Sequence, residues 1–164
     1  IGEAVGCRRA QDIVSEANGL KKQVNKKLSK MEMIEMMYQE NILDHYKSPR
    51  NFGKIENASV HHHEKNPLCG DELDMFLVID ENKKIVDIKV YPTGCAISVA
   101  SASMLSDEIK GKNIEELKAM TKEQILEMLG IPISPVRLKC ALLSLDTLKN
   151  SIHIFEKYVK KNGD

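Results

Sequence analysis

The hydrophobic pattern changes its period at Thr93-Gly94-Cys95, and that change restricts the possible folds more than any other feature of the chain. Before it, apolar residues alternate with polar ones at Leu73, Met75, Leu77 and Ile79, and again at Val86, Ile88 and Val90 after the turn Glu81-Asn82-Lys83-Lys84. Side chains in a strand point alternately to its two faces. The spacing therefore predicts an antiparallel hairpin, Glu72–Asp80 with Ile85–Tyr91, that buries one face with Val86 on it. Beyond Gly94 the apolar residues recur at helical spacing, and helices are what a one-sided sheet needs to cover its apolar face. The expected fold class is α+β: a small antiparallel sheet of about three strands packed against several helices, with a long C-terminal helix.

The remaining elements fit around that frame. Ala58 to Glu64 reads as an edge strand. Ile34 to Tyr46 reads as a helix with Ile34, Met37, Tyr38, Ile42 and His45 on one face, stopped before Pro49, which disfavours helical geometry in the residue preceding it. Ile97 to Ile109 is a helix of small residues closed by Gly111. Short helices follow at Ile114–Met120 and Thr121–Leu129, the second opened by a capping box of Thr121 and Gln124. The last helix, Val136 to about Lys160, carries Leu138, Leu142, Leu145, Leu148, Ile152, Phe155 and Val159 at three-four spacing. Residues 1–30, with a thin apolar stripe broken at Asn18-Gly19, read as an extension of unknown role, and 31–164 as one domain.

Charge and hydropathy exclude several classes. The 24 Lys and Arg balance the 24 Asp and Glu, whereas nucleic-acid binders draw affinity from a basic excess that displaces counterions. The longest apolar run, Met75 to Ile79, is far short of the roughly 20 residues a membrane span requires. No secretory leader is evident, so the expected compartment is the cytoplasm, where thiols stay reduced and cysteines serve metal or sulfur chemistry before disulfides.

Three of the four cysteines stand at joints between elements. Cys69 precedes Gly70-Asp71 at the start of the hairpin, with Cys69 and Asp71 two apart and able to point the same way. Cys95 follows Gly94 and precedes a helix. Cys140 lies in the first turns of the last helix, and a helix start favours thiolate, the form that binds metal or attacks sulfur. A small buried cysteine needs none of these neighbours. Three thiolates and one carboxylate supply four ligands, as many as tetrahedral zinc or a two-iron cluster takes.

The segments Asn66-Pro67-Leu68-Cys69-Gly70-Asp71, Thr93-Gly94-Cys95-Ala96-Ile97-Ser98 and Val136-Arg137-Leu138-Lys139-Cys140-Ala141-Leu142-Leu143 closely resemble the IscU, SufU and NifU amino-terminal family of iron-sulfur assembly proteins. Asp44 to Gly53 is similar to that family's lead helix and following turn. The resemblance runs from about Met33 to Lys160. It implies that Cys69, Asp71, Cys95 and Cys140 converge to hold a transient [2Fe-2S] cluster or a Zn2+ ion. It also implies a cysteine desulfurase as sulfur donor, one of the three cysteines as sulfur acceptor, and apo iron-sulfur proteins as recipients.

Two departures refine it. Lys139 stands where the IscU branch has His, which looks more like the SufU branch; it is expected to support the Cys140 thiolate. Only 44 residues separate Cys95 from Cys140, which looks like the scaffold type without the SufU insertion. The IscU chaperone motif Leu-Pro-Pro-Val-Lys is replaced by Ile133-Ser134-Pro135-Val136-Arg137, which argues against an Hsp70-type partner. The expected function is a scaffold, non-enzymatic rather than enzymatic. The alternatives are a zinc-dependent sulfurtransferase and a structural zinc interaction module.

Other features carry blander readings. His61-His62-His63 lie in an extended segment, so only two can share a face, and a surface edge strand is expected. His45 reads as a packing or helix-end residue. Cys7 reads as a stray thiol, Met31 to Met37 as a helix face, and the Lys-rich stretches 21–30 and 157–161 as solvated.

Overall fold

A computed structural model describes residues 30–162. The chain divides into two units, 1–34 and 35–164. Only Lys30–Ile34 of the first is described, so the expectations for Cys7 and for the apolar stripe before Lys30 lie outside the described residues. The elements run α1 (Lys30–Lys47), β1 (Val60–Lys65), β2 (Glu72–Ile79), β3 (Ile85–Thr93), α2 (Ala96–Ile109), α3 (Ile114–Lys118), α4 (Lys122–Leu129), a 3-10 turn (Pro135–Arg137) and α5 (Leu138–Asn162). This is the α+β arrangement expected from the change of period.

The sheet is antiparallel with strand order β1-β2-β3. Leu73, Met75, Leu77 and Ile79 of β2 and Ile88 and Val90 of β3 are buried, and α2 and α5 pack over that side of the sheet. Val86 departs from expectation: it is 53% exposed, and Ile85 is buried in its stead. The cause is a shift of register between Val78 and Ile79, where Asp87 pairs with Val78 but Ile85 pairs with Ile79. One extra residue on β3 reverses the facing of everything beyond it.

The helices are capped much as their sequences suggest. Cys95 is the N-cap of α2, and Asn113 caps α3, its side chain accepting from Glu115 N–H. Thr121 and Gln124 form the capping box of α4, with Gln124 Oε1 accepting from Thr121 N–H at 2.8 Å. That helix ends on Gly130 in the left-handed region, φ 65°. There a Cβ would lie 2.1 Å from the Tyr38 ring. Along α5, Leu145, Leu148 and Ile152 are buried, Leu142 and Phe155 are partly buried, and Val159 is exposed. The face expected of α1 is only partly realised, since Ile42 and His45 are buried while Met37 and Tyr38 are exposed.

Buried His45 ties α1 to α2. Its Nδ1 lies 2.7 Å from Ser103 Oγ, and that oxygen accepts from the Arg50 N–H at 2.7 Å. The serine proton is then free for Nδ1, which must be unprotonated to accept it. Burial, and next the Arg50 charge, hold His45 below the ordinary histidine pKa. A group whose pKa is depressed by folding stabilises the fold fully above its unfolded pKa, near 6.5, and loses that contribution as pH falls through the folded value. Urea unfolding at pH 7 and pH 5 should show the wild type losing stability over this interval and His45→Gln losing less. Equal losses in both would count against this account.

Candidate functional site

The loop from Asn66 to Asp71 joins β1 to β2 and is closed on itself. Asn66 N–H donates to the Asp71 carbonyl and Gly70 N–H donates to the Asn66 carbonyl, both at 2.8 Å. Gly70 sits at φ 73°, a conformation costly for any residue with a Cβ. The turn projects Cys69 outward and Asp71 inward; the thiol is exposed and the carboxylate is 3% exposed.

Cys95 arrives from the far end of β3. Its N–H donates to Asp71 Oδ1 at 3.0 Å, and its sulfur accepts from Ser98 N–H at 3.5 Å, which caps α2. The approach depends on Gly94, φ 152°, where a Cβ would stand 2.4 Å from Asp71 Oδ1. Cys140 comes from the first turn of α5 and is 4% exposed. Its Sγ lies 3.2 Å from Cys69 Sγ.

The donor atoms of Cys69, Asp71 and Cys140 all lie within 4.8 Å of one another, a spacing that fits ligands of one ion. Cys95 stands at the edge of this group, lining the same open cleft of about 500 Å³ together with Gly94, Val136 and Arg137. Asp71 Oδ2 is buried with no hydrogen-bond partner among the described residues. An orphaned buried carboxylate oxygen is costly, and a cation supplies what it lacks.

The electrostatics follow from this crowding. Burial pushes the Asp71 carboxyl up, but the thiols of Cys69 and Cys140 and the N–H of Cys95 outweigh it and leave the group below its ordinary value. For Cys140, burial first and then the neighbouring Cys69 and Asp71 push the thiol far up. Its place at a helix start does not overcome them.

Lys139 is not brought to the four residues. It lines a separate cleft with Glu64, Lys65 and Asp146, and its charge acts on the Asp146 carboxyl. The histidine run divides as strand geometry requires. His61 Nε2 and His63 Nδ1 both meet the Asp74 carboxylate, at 2.7 and 3.3 Å, and His62 Nε2 meets Glu64 Oε2 at 3.0 Å. Two residues gain importance that sequence reasoning did not give them: Gly94, for the space it leaves Asp71, and Asn66, whose side chain reaches Cys140 Sγ at 3.8 Å. The Asn66-Pro67 dipeptide signals a turn, but nothing in a linear sequence shows its reach across to α5.

The chain matches the NifU-like N-terminal domain family over residues 37–162. It is 37% identical over 127 residues to an iron-sulfur cluster assembly scaffold protein IscU of Archaeoglobus fulgidus, covering 77% of this chain and 80% of that protein. It is 35% identical over 120 residues to the IscU scaffold protein of Haemophilus influenzae, covering 71% and 94% of the two chains. Among solved structures, it superposes on a candidate iron-sulfur cluster assembly scaffold of the SUF system from Fervidobacterium islandicum AW-1. The TM-score is 0.63 at 32% identity, with 71% of this chain and 97% of the other covered.

Proposed function

The chain belongs to the family of NifU-like N-terminal domains, and from that membership we propose that it is an iron-sulfur cluster assembly scaffold whose cargo site is Cys69, Asp71, Cys95 and Cys140. In this reading a cysteine desulfurase supplies sulfur as a persulfide. A thiolate of the scaffold attacks the outer sulfur and the desulfurase thiolate leaves. Two electrons from an external reductant then cleave the scaffold persulfide to sulfide and regenerate the scaffold thiolate. The sulfide with iron forms a [2Fe-2S] cluster across the four residues, which is passed to apo-proteins. The observation that carries the reading is the convergence of Cys69, Asp71 and Cys140 from a loop and a helix start, with an unpartnered carboxylate oxygen buried among sulfurs.

Asp71 gives the site its lability. A carboxylate is a harder ligand than thiolate and the weaker partner for iron-sulfide. It also adds negative charge to a site already holding three thiolates. Transfer of a preassembled cluster to an apo-ferredoxin should slow by about tenfold or more in Asp71→Ala and Asp71→Cys, on the scale at which ligand surroundings alter metal affinity. Equal transfer rates in all three proteins would remove this role from Asp71.

A second reading is favoured by one feature of the geometry. Three of the four donors lie within 4.8 Å of one another, close enough for a single ion, while the Cys95 sulfur falls outside that group and accepts from Ser98 N–H. A zinc ion on Cys69, Asp71 and Cys140, with one cysteine free to take sulfur, would make the chain a zinc-dependent sulfurtransferase. Anaerobic purification, metal analysis and a visible spectrum, followed by addition of iron, cysteine and a desulfurase, distinguish the two. Cluster absorbance is expected. Stoichiometric zinc with accelerated desulfurase turnover and no cluster absorbance would replace the scaffold reading with the zinc one.

A further inference from the structure

Asn66 is 4% exposed, an uncharged polar residue in a position where unmet hydrogen bonds are costly. Its four hydrogen-bonding groups are all engaged. The backbone pair closes the loop on Asp71 and Gly70, Oδ1 accepts from Leu68 N–H at 3.1 Å, and Nδ2 donates toward Cys140 Sγ at 3.8 Å. The bond from Leu68 also fixes which end of the amide faces the sulfur, because the reverse orientation would set two N–H donors against each other.

We infer that Asn66 is the positioning residue of this site: one side chain that holds the Cys69–Asp71 loop in its turn and presents an N–H donor to the Cys140 sulfur, keeping loop ligands and helix ligand in register as cargo arrives. The inference rests on the proposed cargo site. Its physical basis is the company Cys140 keeps. The other groups beside its sulfur, Cys69, Asp71 and Cys95, are themselves anionic or become so when they ligate. The Asn66 carboxamide stays neutral and donates whatever the charge on the sulfur. A hydrogen bond of this kind to a ligand sulfur stabilises the thiolate and tunes the metal or cluster it binds.

Two substitutions separate the two halves of the role. Serine at 66 can still accept from Leu68 N–H through its short hydroxyl, in the turn that serine shares with asparagine, but it carries no amide to reach Cys140. Alanine loses both contacts. Each protein is read in two ways, with circular dichroism of the metal-free chain to check folding. The first is zinc affinity, by competition with a chromophoric chelator. The second is the position of the Cys69–Cys140 disulfide in metal-free protein against glutathione, in which one glutathione disulfide oxidises the two thiols and leaves as two glutathione thiols. Peptide mass spectrometry identifies the linked pair.

Asn66→Ser should weaken zinc binding by about 10- to 100-fold, the cost usual for losing an outer partner of a ligand, while barely moving the disulfide equilibrium. Asn66→Ala should weaken zinc binding and also lower disulfide formation by about fivefold, the worth of one lost hydrogen bond. Unchanged zinc affinity in Asn66→Ser, in a chain whose wild type holds zinc on these thiols, overturns the donor role. An unchanged disulfide equilibrium in Asn66→Ala overturns the loop role. Should the alanine variant fail to fold, the serine variant decides alone. A wild type that holds neither zinc nor cluster overturns the cargo site instead, and the disulfide equilibrium then judges Asn66 separately.

Discussion

Cys140→Ala should bind zinc more than about 100-fold more weakly than the wild type, since outer partners of metal ligands alone are worth about 10- to 100-fold. The same variant should fold. Cys140 lies buried in the first turn of α5, its sulfur facing Cys69, Asp71 and Asn66 rather than the leucine core, and its side chain is close in volume to alanine. Alanine is also the better helix former, so the cost in the metal-free protein should be about 1 kcal/mol, a shift of a few degrees in Tm. The substitution thus separates cargo binding from folding at the residue where the two touch most closely. Cobalt provides a second readout, because the intensity of its thiolate charge-transfer band counts sulfur ligands. A band and an affinity both equal to those of the wild type would show that Cys140 is no ligand.

Gly94→Ala should produce the other large effect, and its cause is steric. The added Cβ would stand 2.4, 2.6 and 2.8 Å from Oδ1, Cγ and Cβ of Asp71, on a backbone with φ 152° that side-chain-bearing residues rarely adopt. Because the crowding extends back to the Asp71 Cβ, turning the carboxylate aside does not relieve it. Either the loop or the start of α2 must move, and the bond from Cys95 N–H to Asp71 Oδ1 is lost with it. Backbone strain of this kind costs about 1–3 kcal/mol before the lost hydrogen bond is counted. The variant should show a lowered Tm together with weakened zinc binding. Adding Asp71→Gly should restore part of the Tm, because it removes the atoms the new Cβ meets. A double variant no more stable than Gly94→Ala would place the damage elsewhere.

The fold was readable where the pattern is local and regular. The alternation through Leu73, Met75, Leu77 and Ile79 and the three-four spacing along α5 each follow from one period and one buried face, and both elements form as expected. Val86 was misplaced because a bulge leaves no mark in periodicity. The run from Ile85 to Val90 contains an extra residue whose facing is decided by pairing with β2, not by its own sequence. On α1 the apolar residues predicted a buried face that Met37 and Tyr38 do not realise, since composition does not show which neighbours an element will meet.

For the site, the four proposed ligands could be named from their joints and motif. Their spatial grouping could not. That Cys69, Asp71 and Cys140 are drawn closest, with Cys95 at the edge, depends on the closed turn after Asn66 and on how α5 docks. The role expected of Lys139 rested on adjacency in the chain. In a helix, however, successive residues point about 100° apart, and Lys139 accordingly faces another cleft.

The placement of Cys140 at the start of α5 also has a consequence for timing. During synthesis the loop bearing Cys69 and Asp71 and the turn bearing Cys95 leave the ribosome first, and the hairpin between them can pair from local contacts alone. The last sulfur follows only after α3 and α4, on a helix whose buried leucines must settle against the sheet before Cys140 is held beside Cys69. Until that helix has been made and has docked, the nascent chain presents thiols without Cys140 beside Cys69 and Asp71. In the proposed scaffold, loading would thereby be confined to molecules that have completed their core.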